Sequence, residues 1–167
     1  MTKLRCVQIY LLRHGIAEEG GAGVPDSERA LTPEGKKRLR EAMKTAARAG
    51  VVPSLILSSP YRRALESARI AADELGYKDE ILRTKALIPS ASTSDAWQEI
   101  RLHRDAASLF LVGHEPLFGL LAAYLLGTPE TQIDFKKGAL FAVDLRSGGV
   151  RPQGVLKWML TQRLAGG

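Results

Sequence analysis

The chain is expected to adopt a three-layer α/β/α fold with a mostly parallel central sheet. Three observations carry this. Short apolar runs at residues 7–12, 55–57 and 109–112 have the length and composition of buried strands. Segments with helical spacing of apolar residues lie between them, the alternation that builds parallel sheets. The helices are punctuated at both ends by Ser/Thr-Pro starts and by glycine stops.

Val7-Gln8-Ile9-Tyr10-Leu11-Leu12 reads as the first strand. Cys6 precedes it in the same apolar run and is expected to be a small buried hydrophobe rather than a reactive thiol. A Gly- and charge-rich loop covers residues 18–30. Thr32 then caps a helix, Pro33 fits its first position and Glu34 suits the positive end of the dipole. Leu39, Met43 and Ala46 or Ala47 make its apolar stripe, and Gly50 and Pro53 end it. Lys36-Lys37-Arg38-Leu39-Arg40 gives this helix a solvated basic face.

Leu55-Ile56-Leu57 is a second strand. Ser59-Pro60 is expected to open the next helix as Thr32-Pro33 does, with Gly76 closing it. A third strand falls near Ile81 to Thr84. Residues 87–94 read as loop, after which Ser94 or Asp95 caps a helix covering Trp97, Ile100 and Leu102. Leu109-Phe110-Leu111-Val112 is a further buried strand. Pro116 opens a helix carrying Leu117, Leu120, Leu121, Tyr124 and Leu125, closed by Gly127. The last part reads as two strands, 139–145 and 155–160, joined by a hairpin through Ser147-Gly148-Gly149, with Trp158 in the core or at its rim.

The 167 residues suit a single domain over 1–167, with no repeat and no linker. Hydrophobic residues at 45% and charged residues at 25% are the balance of an ordinary globular protein. The single cysteine cannot form an internal disulfide, no apolar stretch is long enough to span a bilayer, and Gln8 and Arg13 interrupt the run a signal peptide would need. A cytoplasmic protein without a membrane role is expected. The net charge of +6 favours anionic partners. The basic residues lack interleaved aromatics, which argues against nucleic acid.

The chemistry-bearing residues gather where strands end. The first strand runs into Arg13-His14-Gly15, the second through Ser58-Ser59-Pro60 into Tyr61-Arg62-Arg63, and the fourth into Gly113-His114-Glu115-Pro116. Ligands in open α/β sheets bind outside the carboxyl ends of the strands, so His14, His114, Arg13 and Arg63 are expected to converge there. Arginine forks suit phosphate oxygens, and helices starting at Pro60 or Pro116 would turn free N–H groups to the same edge. A neutral imidazole among cations keeps its lone pair and can attack phosphorus. A second histidine can donate a hydrogen bond to the phosphoryl oxygens, and the cations stabilise the charge of transfer. Alone, His14 would read as a hydrogen-bonded strand-end residue; its company makes it the candidate nucleophile. A metal site of His14, His114 and Glu115 is disfavoured by the adjacent Arg13. His103, among Arg101, Arg104 and Asp105, reads as surface.

Leu12-Arg13-His14-Gly15 resembles the signature of the histidine phosphatase superfamily, which includes the cofactor-dependent phosphoglycerate mutases. Leu31-Thr32-Pro33-Glu34-Gly35, Ser58-Ser59-Pro60-Tyr61-Arg62-Arg63-Ala64 and Gly113-His114-Glu115-Pro116 follow in the family's order. The short chain is most similar to SixA-type phosphohistidine phosphatases. The resemblance implies a phosphoglycerate mutase-like fold without a large cap insertion. It also implies transient phosphorylation of His14, phosphoryl binding by Arg13, Arg63 and His114, and no metal or organic cofactor. Arg62 would be a surface or substrate-edge charge, and Lys136-Lys137-Gly138 takes no catalytic part.

The departures narrow the substrate. Many members carry an acid after the third strand, whereas residues 87–94 contain none before Asp95. Ile16 stands where mutases often have Glu, and Gly20 and Gly21 where they often have a phosphate-contacting Asn. An alkoxide leaving group needs strong protonation; imidazole, with a conjugate-acid pKa of about 6.5, needs far less. The sequence therefore favours a phosphohistidine phosphatase acting on a phosphorylated signalling protein, such as a histidine phosphotransfer domain. Glu18, Glu19 or Asp95 remain alternative acids. A small-molecule phosphomonoesterase and a non-catalytic phosphate-binding regulatory module are the alternatives in function.

Overall fold

A computed structural model describes residues 6–146 and 150–166. The basic start of the chain and the turn of the expected hairpin at Ser147-Gly148-Gly149 lie outside the described residues. Six strands form one sheet: β1 (Cys6–Arg13), β2 (Leu55–Ser58), β3 (Leu82–Arg83), β4 (Ser108–Gly113), β5 (Leu140–Arg146) and β6 (Gly154–Leu160). Their order is β3-β2-β4-β1-β5-β6; β1 to β4 are parallel, and β5 and β6 run antiparallel at one side.

The alternation of side chains along the central strands builds the layers. Tyr10 and Leu12 of β1, Phe110 and Val112 of β4, and Leu140 of β5 face one core with α1 (Pro33–Arg48) and α2 (Arg62–Leu75). Ile9 and Leu11, Leu109 and Leu111, and Phe141 face the other with α3 (Thr93–Leu102) and α4 (Leu117–Leu125). The expected three-layer arrangement is therefore present. A short α5 (Gln162–Ala165), capped by Thr161, was not foreseen. No helix among the described residues is long and apolar enough to cross a membrane.

α1 begins as its sequence dictates: Thr32 Oγ1 accepts the Gly35 N–H at 2.9 Å. Gly50, Gly76 and Gly127 all take positive φ at helix ends. Three local expectations are corrected. Ser59-Pro60 does not open α2, which starts at Arg62 behind Tyr61 with no side-chain cap. The Ser59 hydroxyl is instead within 2.8 Å of His114 Nε2. Ser92, not Ser94 or Asp95, caps α3, with Asp95 closing the box as its third residue, so Leu102 at the far end projects into solvent. Cys6, at the first described position of β1, is exposed, while Val7 beside it is buried.

Candidate active site

The sheet register sets the site. β1 and β4 pair in parallel with Arg13 opposite Gly113, so the next residue on each strand is a histidine at the same carboxyl edge. The His14 and His114 rings lie 5.0 Å apart between centroids, about the spacing of neighbouring strands. The His14 backbone is held from three directions. Its N–H donates to the Gly113 carbonyl at 3.0 Å, and its own carbonyl accepts the Gly138 N–H at 2.9 Å. The N–H of Gly15 donates to Ser67 Oγ on α2 at 3.1 Å. Gly138, at φ +71°, also donates to the Arg13 carbonyl at 3.0 Å. Gly138 thus braces the chain at Arg13 and His14 from the β5 side.

The hydrogen bonds of His14 fix its tautomer. Nδ1 lies 2.7 Å from the Gly15 carbonyl, which can only accept, so Nδ1 carries the proton. Nε2 accepts from Arg63 Nε at 3.2 Å and therefore holds the lone pair. Burial pushes the His14 pKa down to about 3; the Gly15 hydrogen bond opposes this, and the charges of Arg63, Arg13 and Lys137 reinforce it. Such a ring is neutral near pH 7, the form in which an imidazole can act as a nucleophile.

Arg63 comes from the first turn of α2 and is buried. Besides His14, its Nη1 donates to the Asp26 carbonyl at 2.6 Å and its Nη2 to the Asp26 carboxylate at 3.1 Å. Its guanidinium lies 5.1 Å from the Tyr61 ring centroid, a cation–π contact that holds the fork in place. Burial alone would raise the Asp26 pKa, but hydrogen bonds and charges from Arg29 and Arg63 outweigh it and hold the carboxyl below its usual range. Arg13 donates through Nη1 to the Phe135 carbonyl at 2.7 Å, while its buried Nε has no partner among the described residues. His114 is buried between His14 and the edge of Tyr61. Its Nε2 is 2.8 Å from Ser59 Oγ and its Nδ1 has no partner among the described residues. Burial first, then His14 and the charge of Arg63, push its pKa down to about 2.

The structure thus brings His14, Arg63 and His114 into one cluster. Arg13 supports it from the β1 end, where its charge helps depress His14. Other candidates lie elsewhere. Arg62 is exposed and pairs with Glu66, His103 pairs with Glu99 on α3, and the Glu115 carboxylate is turned onto α4, accepting the Gly119 N–H. Sequence reasoning missed Asp26, Ser67 and Tyr61 and misread Ser59 as a cap. Asp26 gave no signal, being one of several acids in a Gly- and charge-rich stretch; it opens a 3-10 turn, Asp26–Glu28. Ser59 carried a signal in its motif that pointed to the wrong role. A neutral imidazole flanked by fixed guanidinium groups is equipped to take up and release a phosphoryl group.

A sequence profile of the histidine phosphatase superfamily (branch 1) matches residues 9–88. An uncharacterized protein of the cyanobacterium Picosynechococcus sp. (strain PCC 7002) is 34% identical over 149 residues, 88% of this chain and 89% of its own. The tungstate complex of the protein histidine phosphatase SixA superposes with a TM-score of 0.80 at 26% identity, covering 93% of this chain and 97% of that one. The alpha-ribazole phosphatase of Shigella flexneri shares the fold, with a TM-score of 0.67 at 16% identity over 93% of this chain and 96% of its own.

Proposed function

The chain belongs to the histidine phosphatase superfamily, phosphatases with a histidine nucleophile, and from that premise we propose that it hydrolyses phosphohistidine in a phosphorylated signalling protein, with His14 attacking. The Nε2 lone pair of His14 forms a bond to phosphorus as the P–N bond of the substrate breaks. The substrate's ring, protonated by solvent on its other nitrogen, leaves as neutral imidazole; water then attacks phospho-His14, and inorganic phosphate departs with a proton returned to solvent, restoring the neutral ring. Arg63, Arg13 and the Nδ1 side of His114 hold the phosphoryl oxygens as negative charge spreads over them.

The observation that carries the substrate class is that neither Asp95 nor Asp26 is poised as an acid. Residues 88–94 contain no carboxylate. Asp95, the first that follows, binds the Ser92 N–H and hydroxyl through Oδ2, and these bonds lower its pKa. Asp26 is likewise held ionised by Arg29 and Arg63. A phosphoserine alkoxide would depart from such a site with little help, whereas imidazole needs little. The segments joining the strands to the following helices at the carboxyl edge form no added subdomain among the described residues, which suits a protein-sized substrate such as a phosphotransfer domain. Purified protein is incubated with a phosphohistidine protein and with phosphoserine, sugar and nucleotide phosphates. Faster release from phosphohistidine, with acid-labile phosphate trapped on wild type and absent from His14→Ala, is expected. Equal or faster turnover of a phosphate ester would overturn the P–N preference, and no trapped phosphate would overturn the role of His14.

A further inference from the structure

We propose that Ser59 is a positioning residue that sets the tautomer of His114, so that His114 offers an Nδ1–H to the phosphoryl group; this rests on the proposed function above. The Ser59 hydroxyl is buried, with two hydrogen-bond partners among the described residues. One is the Tyr61 N–H at 3.3 Å, which can only donate, so the serine oxygen accepts there. The hydroxyl proton is then left with the other partner, His114 Nε2 at 2.8 Å. Donation to Nε2 requires that nitrogen to carry its lone pair, which places the ring proton on Nδ1.

The opposite arrangement is poor on two counts. If Nε2–H donated to Ser59, the serine proton would have no acceptor, and a bare Nδ1 lone pair would lie buried without a donor. It would also turn a lone pair, rather than a donor, to an anion. Nδ1 has no partner among the described residues, while His114 lies with its ring against His14 and within reach of the field of Arg63. An anionic phosphoryl oxygen satisfies an Nδ1–H and repels a bare Nδ1. Ser58 cannot replace its neighbour, because its own hydroxyl donates to the Ser59 carbonyl at 2.9 Å.

The tautomer is read directly from long-range proton–nitrogen correlations of the histidine rings in the intact protein at neutral pH, with His114→Gln used to assign the signals. Wild type is expected to show His114 protonated on Nδ1 with Nε2 bare; protonation on Nε2 overturns the proposal outright. In Ser59→Ala the His114 proton is expected to move wholly or partly to Nε2. Binding of orthovanadate should weaken about tenfold, the worth of one hydrogen bond to a charged group. A Ser59→Ala protein that keeps the wild-type tautomer and vanadate affinity overturns the proposal. The wild-type spectrum decides the matter even if that variant does not fold. Neither readout depends on the substrate, so failure here leaves the phosphohistidine reading standing, and failure of that reading leaves the tautomer intact.

Discussion

Arg63 reaches His14 through Nε and Asp26 through both terminal nitrogens, with Tyr61 beneath its guanidinium. A lysine cannot reproduce this, since one ammonium has neither the fork nor the flat face. Arg63→Lys is therefore expected to lower turnover of a phosphohistidine substrate by about 10²–10³, the usual loss for one oxyanion donor. Steady-state kinetics check this, and a variant retaining more than a tenth of wild-type kcat would remove Arg63 from the phosphoryl site. Removing the charge altogether should also raise the His14 pKa, because Arg63 is among the cations that depress it. Arg63→Ala is expected to show activity, where measurable, that falls off in acid at a higher pH than wild type.

At the scale of elements, the segment Leu31-Thr32-Pro33-Glu34-Gly35 does more than start a helix. A Cβ at Gly35 would collide with the backbone carbonyl of Ile16, and the Thr32 N–H donates to that carbonyl at 2.9 Å. The first turn of α1 thus lies directly on the chain leaving His14. Gly35→Ala should force these two backbones apart, destabilising the protein by about 1–3 kcal/mol, seen as a lower urea midpoint with unchanged m. An unchanged midpoint would mean that α1 can shift freely. The same comparison shows what sequence could reveal. The strands, the Thr32 cap and the glycine stops were legible because each rests on local chemistry. His14, Arg63 and His114 were legible as a group because strand ends share an edge. Asp26 was not, since nothing local ties its stretch of chain to α2. Nor was Ser59, because a Ser-Pro pair carries the same signal whether the hydroxyl caps a helix or braces a histidine on the neighbouring strand. Cys6 was misjudged because an apolar run does not reveal which of its residues are covered.

For the whole molecule, two buried neutral histidines imply acid lability. Both folded-state pKa values are depressed, to about 3 for His14 and about 2 for His114, against about 6.5 in the unfolded chain. The unfolded state therefore binds more protons below pH 6.5, and stability present above that value falls as the pH drops towards 3. The slope is about 1.4 kcal/mol per pH unit for each histidine. Urea titrations at pH 7.5 and 5 should show a clear loss that shrinks in a His114→Gln variant; pH-independent midpoints would contradict the burial of these rings. The register of the sheet has a wider consequence. His14 follows β1, His114 follows β4, and Ser59 follows β2, three strands side by side. The spacing of the two histidines is then one step of peptide hydrogen bonding, 5.0 Å between their rings, fixed by the pairing of β1 with β4. On the proposed function, that spacing acts as a gauge for a single phosphoryl group, held by the sheet behind it. Loops at its rim can lengthen, shorten or change charge, and so change which molecule is admitted, without altering the size of the group that fits.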